Sequence, residues 1–320
     1  IIMKLAVDQI NNWIFVTGVI RSGTTFAGKV LSLPVEVDYI HEPYGEQRAR
    51  SNRPDLFPYV RPSIDTKEMQ KYHEFTKRIF SYDLTLRGYY PEKDPWLRKV
   101  TKRLVGSRAP FYLRLAKLNV FHKAAVIKDP IGLLLAEYLH LHFGVKPVIV
   151  IKHPVSLIAS LKRVNWWPHP RELADKQLIK DYFYDETEFM ERSWSTPMLA
   201  SAAYWRAVHK VLLSQARNYP NWQVVTHEEL CRNPVSAFKH LYEVLDLPWS
   251  ESVKRRILKL TQGNRSTEAR KGIVQDFQRN SANLFEMRRD SLSLEERRAV
   301  FEVVEDVALK IYPRESFAID

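Results

Sequence analysis

The sequence places a turn rich in glycine and hydroxyl side chains between a strand and a helix, an arrangement that binds phosphate groups. An apolar run at 13–18 leads into the turn 18–25 (GVIRSGTT), and a helical pattern follows. In such a turn, backbone N–H groups and the positive end of the helix dipole hold an anion. The spacing is that of a nucleotide P-loop, but Thr24 stands where a P-loop has its lysine. We therefore expect a ligand less charged than a triphosphate.

Five short apolar runs are typical of strands buried on both faces of a parallel sheet, because they are almost continuously apolar rather than alternating. They cover residues 13–18, 37–43, 124–130, 147–154 and 222–230. Helical periodicity separates them at 25–33, 131–143, 155–162 and 199–218. This alternation predicts an α/β fold with a central, mostly parallel sheet flanked by helices, similar to P-loop NTPases. Ligands of such sheets bind at the carboxyl ends of the strands.

Three segments interrupt the alternation, and we interpret them as insertions in a single domain spanning 1–320. Residues 46–120 contain helical patterns at 67–80 and 109–121, and residues 163–198 are aromatic and acidic. We expect both to act as lids that bind an acceptor. The polar stretch 261–291 is interpreted as a loop that closes over a nucleotide, before a final helix at 294–311.

Composition and charge narrow the class of protein. The chain has 320 residues, 45% hydrophobic and 27% charged, with a net charge of +12, which excludes disordered and collagen-like classes. No apolar run approaches the roughly 20 residues that a membrane span needs. The lone cysteine, Cys231, permits no internal disulfide. We therefore expect a cytoplasmic protein without stable membrane insertion. The basic excess indicates an anionic partner, and the absence of any recognised DNA or RNA module argues against nucleic acid.

The motifs resemble those of sulfotransferases that use 3′-phosphoadenosine-5′-phosphosulfate (PAPS). The family's 5′-phosphosulfate loop is similar to Arg21, Ser22, Gly23, Thr24 and Thr25. Lys152 follows a strand and Ser160 lies 160 − 152 = 8 residues later, the spacing of the family's 3′-phosphate motif, in which the first residue is usually Arg. The resemblance implies an α/β sulfotransferase that needs no metal ion and releases 3′-phosphoadenosine-5′-phosphate (PAP).

Two further motifs resemble the family's nucleotide-binding segments. Arg270, Lys271 and Gly272 match the start of a pattern, RKGxxGDW, that contacts the 3′-phosphate in cytosolic members. Gln275 and Phe277 replace its later Gly and Trp. His227 begins a segment, HEEL, that is similar to the family's Tyr-Glu-Asp-Leu, and it stands where a Tyr often touches adenine.

The resemblance also implies roles in the transfer step. Arg21 occupies the family's catalytic cation position inside the loop. Glu42 follows the second strand, where tyrosylprotein and carbohydrate sulfotransferases carry a Glu, and we expect it to be the general base. Lys128 lies in a Lys-Asp-Pro segment similar to one in tyrosylprotein sulfotransferases, which implies stabilisation of the sulfuryl group. Cytosolic members use a His instead, so His122 is an alternative base, whereas His41 should point into packing.

The acceptor and two rival functions stay open at this stage. Trp166, Trp167 and the aromatic run 182–184 could stack on sugar rings, although such runs more often pack in a core or lid. A small molecule, a lipid, a glycan or a tyrosine would each fit as acceptor. The rivals are a nucleotide kinase or NTPase, which Thr24 disfavours, and a non-catalytic nucleotide- or polyanion-binding protein of the same fold.

Overall fold

A parallel sheet of five strands forms the centre of the protein, in the order β2-β3-β1-β4-β5. The computed structural model describes residues 9–45, 57–86, 108–261 and 284–320. The strands are β1 Asn12–Thr17, β2 Val37–His41, β3 Ala124–Lys128, β4 Lys146–Ile151 and β5 Gln223–Thr226. Each of the four pairings is parallel. The predicted α/β fold with a parallel sheet flanked by helices is thus confirmed.

Helices connect the strands and cover both faces of the sheet. Along the chain they are α1 Thr24–Leu31, α2 Lys67–Phe80, α3 Arg108–Leu118, α4 Ala136–Phe143, α5 Pro154–Val164, α6 Lys176–Tyr182, α7 Thr187–Glu191, α8 Pro197–Asn218, α9 His227–Arg232, α10 Pro234–Val244, α11 Glu251–Thr261, α12 Leu284–Arg289 and α13 Leu294–Ala308. Local sequence sets their starts: the Thr196 hydroxyl accepts a hydrogen bond from Leu199 N–H ahead of α8, and Ser293 with Glu296 forms a capping box at α13.

The two faces of the sheet pack into separate cores, which explains the unbroken apolar runs. Ile14 and Val16 of β1 face the core shared with α1 and α10, and Phe15 faces the core that contains Trp205 of α8. All four side chains are fully buried. Because alternate residues serve opposite cores, no position of β1 has to be polar. Among the described helices, none is both long and apolar enough to cross a bilayer.

Two element boundaries differ from the sequence predictions. The strand predicted over 222–230 ends at Thr226, because the Thr226 hydroxyl accepts a hydrogen bond from Glu229 N–H and starts α9. The helix predicted over 131–143 begins as a 3₁₀ turn at Leu133–Leu135. The described parts of the two insertions are helical, with α2 and α3 in the first and α6 and α7 in the second. Their role in acceptor binding stays a prediction.

The sheet register brings three strand ends together. Lys128, the last residue of β3, lies beside Val16 of β1 on one side and His41 of β2 on the other. Neighbouring strands are about 4.8 Å apart. The residues that follow β1 and β2 are therefore separated by only two strand spacings, about 10 Å, with the end of β3 between them.

Candidate functional site

A tight turn after β1 builds the front of the site. Arg21 and Gly23 both have left-handed backbone angles, with φ of 75° and 96°. The turn closes through a hydrogen bond from Ser22 N–H to the carbonyl oxygen of Val19, 3.0 Å long. Helix α1 then begins at Thr24 with Gly23 as its N-cap residue, and no side chain caps it. The first N–H groups of α1 thus have no side-chain acceptor and suit an external anion.

The hydroxyl of Ser22 supports the same interpretation. Ser22 is fully buried, and its Oγ finds no hydrogen-bond partner within the described residues. Buried hydroxyl groups are normally paired. Thr24 and Thr25 add two further buried hydroxyl-bearing residues at the start of α1. The residues present therefore fit a phosphate or sulfate group, and that they bind one stays a prediction.

Gly18 holds the entrance to this turn against the neighbouring strand. Its φ is +149°, and a Cβ atom there would lie 2.2 Å from the backbone oxygen of Val150. We expect Gly18→Ala to lower the free energy of unfolding by more than about 3 kcal/mol, because backbone strain of about 1–3 kcal/mol adds to a clash that no side chain can relieve. Gly144→Ala is the matched control, since Gly144 also has a positive φ but nothing within 4 Å, and should cost about 1–2 kcal/mol. Urea denaturation measures both, and equal losses would contradict the close approach.

A direct contact joins two of the predicted nucleotide motifs. The Arg21 guanidinium donates from Nε and Nη2 to the Ser160 hydroxyl on α5, at 3.4 Å in each case. The structure therefore brings the phosphate loop and the predicted 3′-phosphate serine together. Their sequence separation is 139 residues, so the contact depends on β4 lying beside β1.

Lys152, the other half of that motif, is buried at the end of β4. Its backbone oxygen accepts a hydrogen bond of 2.9 Å from the Trp205 indole. A second buried charge lies nearby: Glu228 of α9 accepts hydrogen bonds from His153 N–H at 3.1 Å and from the Tyr312 hydroxyl at 2.9 Å. Burial raises the pKa of Glu228, and the positive charge of Lys152 opposes that rise. Glu228 was not singled out as a buried partner from the sequence, because Tyr312 is 84 residues away.

His227, predicted to lie near adenine, packs on the phosphate loop. A Cβ atom at Gly23 would come within 2.3 Å of His227 Cδ2, so only glycine permits this approach. His227 is almost buried, and its Nε2 lies 3.5 Å from the sulfur of Cys231, one helical turn along α9. The structure places His227 against the loop as the first residue of a helix.

Glu42 and Lys128 form an ion pair at the ends of β2 and β3. The Glu42 N–H also donates to the Lys128 carbonyl oxygen at 2.8 Å, and Glu42 has a positive φ of 52°. Lys128 is completely buried, whereas the Glu42 side chain is 37% exposed. Burial lowers the pKa of Lys128, and the charge of Glu42 acts in the opposite direction. Helix α1 approaches this lysine closely, since a Cβ atom at Gly28 would lie 3.1 Å from Lys128 Cβ.

His41 lies beside this pair as a neutral group. Burial, and then the charge of Lys128, lowers the pKa of His41 far below its usual range. Burial raises the pKa of Tyr39 well above 10, so its hydroxyl keeps its proton, and it forms a 3.0 Å hydrogen bond with His41 Nδ1. The other ring nitrogen of His41, Nε2, lies 3.7 Å from Glu42 Oε1. His41 is buried, as expected, but it also faces the Glu42 carboxylate.

Asp129 fastens the loops that carry these groups. Its carboxylate accepts hydrogen bonds from three backbone N–H groups: Tyr44 at 2.7 Å, Ile131 at 2.8 Å and Gly132 at 3.1 Å. Its backbone oxygen accepts a 2.7 Å bond from the Thr17 hydroxyl. Asp129 thus links the ends of β1, β2 and β3. The sequence analysis did not assign this role to the residue.

His122, the alternative base, is located elsewhere. It precedes β3, at the amino edge of the sheet, and is 1% exposed with its Nδ1 2.8 Å from Asp38 Oδ2. A five-residue strand spans about 17 Å, which separates His122 from the carboxyl edge. The structure does not bring His122 to the site.

Other predicted contacts fall outside the site or outside the described residues. Arg270, Lys271 and Gly272 lie in the undescribed range 262–283. In the second insertion, the Trp167 indole donates to Asn165 and Phe183 is fully buried in the core. Trp166 is half-exposed. The aromatic residues therefore have mixed packing roles.

Comparison with known proteins finds similarity in structure. No family model matches the chain, and no curated protein matches its sequence. Among solved structures, it is similar to sulfotransferase STF9 from Mycobacterium avium, with 14% identity over 94% of this chain and 77% of that one and a TM-score of 0.46. It is also similar to the sulfotransferase domain of the curacin biosynthetic pathway, with 16% identity over 97% of this chain and 96% of that one and a TM-score of 0.43. A third similar structure is mouse sulfotransferase SULT7A1, solved with PAP, with 10% identity over 99% of this chain and 92% of that one and a TM-score of 0.42.

Proposed function

We propose that the protein is a sulfotransferase that moves a sulfuryl group from PAPS to a hydroxyl or amine of an acceptor. The observation that carries the proposal is the Glu42–Lys128 ion pair beside a turn that lacks the kinase lysine: Lys128 ends the strand next to β1, and Glu42 follows the strand beyond it. A proton acceptor, a buried cation and an anion-binding turn are the parts that in-line group transfer needs.

The loop and α5 together provide a place for PAPS. The N–H groups at the start of α1 and the Ser22 hydroxyl would hold the 5′-phosphosulfate. Lys152 and Ser160 would hold the 3′-phosphate, with Arg21 between the two sites through its bond to Ser160. His227, packed on Gly23, would border the nucleotide. The bound nucleotide supplies the sulfuryl group.

Glu42 would act as the general base. Its side chain is partly exposed, so an acceptor hydroxyl can approach it from solvent. As the acceptor oxygen bonds to sulfur, its proton passes to the Glu42 carboxylate and the bond from sulfur to the PAP oxygen breaks. Arg21 and the amino end of α1 would stabilise the charge left on that oxygen.

The ion pair couples proton transfer to charge stabilisation. Before transfer, Lys128 is paired with the Glu42 carboxylate. Once Glu42 takes the proton it becomes neutral, and the attraction that holds Lys128 to it is lost. Lys128 is then available to the negative oxygens of the sulfuryl group. The cation therefore becomes available as charge develops in the transition state.

Calorimetric titration of the purified chain with PAP tests this proposal, with ATP·Mg²⁺ as the comparison ligand. We expect PAP to bind without metal and to raise the melting temperature, since a ligand at about 100 times its Kd adds about 2.7 kcal/mol of stability. Binding of ATP·Mg²⁺ alone would favour a kinase, and binding of neither would refute the nucleotide site.

The Lys152→Ala/Ser160→Ala double variant should weaken binding of PAP far more than binding of 5′-AMP. Both side chains are assigned to the 3′-phosphate, which AMP lacks, and each charge-assisted contact is worth about 1.5–3 kcal/mol. The Ser236→Ala/Lys239→Ala variant is the control, because both residues are exposed on α10. Equal losses for the two ligands would show that the 3′-phosphate motif is misassigned.

A further inference from the structure

Five large apolar side chains protrude from one corner of the amino edge of the sheet. This apolar rim consists of Val35, Leu115, Leu118, Val120 and Phe121, and four of its members are 63–73% exposed. Val35 lies in the turn before β2, Leu115 and Leu118 lie on α3, and Val120 and Phe121 lie in the turn between α3 and β3. Exposed apolar residues scattered singly are ordinary, but a cluster of this kind marks an interaction surface.

The rim is held in place rather than loosely attached. The Asn119 side chain donates to the Val35 carbonyl oxygen at 2.9 Å and to Asp38 Oδ1 at 2.8 Å, and its own oxygen accepts from Phe121 N–H at 2.9 Å. Asp38 is in turn fixed by the Tyr82 hydroxyl and by His122. His122, which the sequence analysis considered as an alternative base, therefore supports the rim through Asp38 and Asn119.

Basic residues line a cleft beside the rim and adjoin the rim along the chain. The cleft has a volume of about 900 Å³; its lining includes Val35 and Leu115, the cations Lys29, Arg256 and Lys259, and the carboxylate Glu36. Four basic residues and one acidic residue lie within two positions of rim or cleft residues and are exposed or half-buried: Arg114, Lys117, Lys123, Arg255 and Glu251. The exposed Asp83 precedes Leu84, whose carbonyl oxygen accepts a bond from Lys117. Positive charge therefore predominates around the apolar tips.

We propose that this corner of the protein docks on the surface of a lipid bilayer that contains anionic lipids. The rim side chains enter the interfacial region of the bilayer, and the surrounding lysines and arginines contact phosphate headgroups. Charge complementarity favours a bilayer as the occupant, because the basic residues that line the cleft and adjoin the rim outnumber the carboxylates there and match an anionic surface. The net charge of +12 acts in the same direction.

Docking through the rim leaves the proposed transfer site on the far side of the sheet from the bilayer. The rim lies at the amino edge of the sheet, and the phosphate loop and Glu42 follow the carboxyl ends of β1 and β2. The transfer site therefore faces away from the bilayer. Docking localises the chain, and it leaves the nucleotide site accessible from water. The inference does not depend on the proposed function.

Vesicle flotation of the full chain tests the proposal, with phosphatidylcholine vesicles prepared with and without phosphatidylglycerol. We expect binding to the vesicles that contain phosphatidylglycerol, and weaker binding as salt is added. The Leu118→Ser/Phe121→Ser variant should lower the vesicle partition coefficient at least about tenfold, because two apolar side chains are lost from the interface. Tyr184→Ser/Leu309→Ser, which changes two exposed apolar residues elsewhere, should bind like the wild type.

Two further variants test how much the basic residues contribute to vesicle binding. Lys123→Gln/Lys259→Gln should lower partitioning by about tenfold or more, since each basic residue near an anionic surface contributes about 1 kcal/mol. Lys180→Gln/Lys310→Gln carries the same charge change on distant exposed positions and should have a smaller effect. The melting temperature and far-UV circular dichroism of all four variants should match the wild type, which shows that they fold.

Three outcomes would overturn the proposal. The first is a wild-type chain that does not float with either vesicle, and the second is equal partitioning of wild type and Leu118→Ser/Phe121→Ser. The third is a change of the variant from dimer to monomer in sedimentation velocity, which would show that a second copy of the chain covers the rim.

Discussion

Glu42→Gln is expected to lower kcat for sulfate transfer by about 10²–10⁴-fold and to leave PAP binding largely unchanged. Glutamine keeps the size of the side chain but cannot accept the acceptor's proton, and general-base catalysis typically contributes that factor. The nucleotide contacts are assigned to the loop and α5 rather than to β2, so the loss should fall on kcat and not on ligand affinity. Product formation from PAPS and calorimetric PAP binding measure the two quantities on the same preparation.

Glu42→Gln also changes the environment of Lys128, and control variants separate that effect from the loss of the general base. Removing the Glu42 charge leaves a buried lysine without its carboxylate partner. We therefore expect part of the loss to be restored in Glu42→Asp, which keeps the charge but shortens the reach. Glu302→Gln, an exposed residue on α13, controls for the loss of one carboxylate. A Glu42→Gln enzyme with the wild-type rate would refute the assignment of Glu42 as the base. If that enzyme still binds PAP like the wild type, the assignment of the nucleotide site is not affected.

The strand, turn and helix around 18–25 were predictable because the residue types that signal them are local, although the contacts that require glycine there come from distant parts of the chain. The apolar run of β1, the two glycines and the hydroxyl residues lie within a short stretch, and each is required by the backbone that it adopts. Gly18 is necessary because Val150 approaches it, and Gly23 because His227 packs on it. Similar local reasoning predicted the five strands, whose apolar runs reflect cores on both faces.

The arrangement of the transfer groups was only partly predictable. Glu42 and Lys128 are 86 residues apart, and their ion pair depends on β2 and β3 being neighbours in the sheet, which no local pattern states. The position of β3 in the sheet also puts His122 away from Glu42 and Lys128, because His122 precedes β3 whereas Lys128 ends it. The rule that ligands bind after the apolar runs favours Glu42 over His122, as the sequence analysis did, and the role of Glu42 as the base stays a prediction.

Buried polar partners were the least predictable part of the site. Glu228 bonds to Tyr312 across 84 residues, and Asp129 bonds to Tyr44 across 85. Both carboxylates were visible in the sequence as members of motifs. Their structural tasks, however, arise from which backbone N–H and hydroxyl groups the fold leaves unpaired.

Asp129→Ala should be the most destabilising change at the site, with a loss of at least about 3 kcal/mol in the free energy of unfolding. It leaves three buried backbone N–H groups without an acceptor, and each such group costs about 1–3 kcal/mol. Asp129→Asn should lose less, because its amide oxygen can still accept from Ile131 and Gly132. Asp175→Ala is the control: Asp175 accepts from two N–H groups at the exposed start of α6, and its removal should cost about 1 kcal/mol.

The stability of the wild type relative to Asp129→Asn should also depend on pH in a specific direction. Burial, and then the charge of Glu42, raises the pKa of Asp129 from 3.8 to about 7. Between those values the folded chain keeps a proton that the unfolded chain releases, so the stabilising effect of this proton is complete below about pH 4 and is lost as the pH rises through about 7. Asparagine does not titrate. The stability of the wild type relative to Asp129→Asn should therefore fall over that range in urea denaturation. A constant difference would mean that Asp129 is ionised in the folded protein and that its three N–H bonds outweigh the cost of burial.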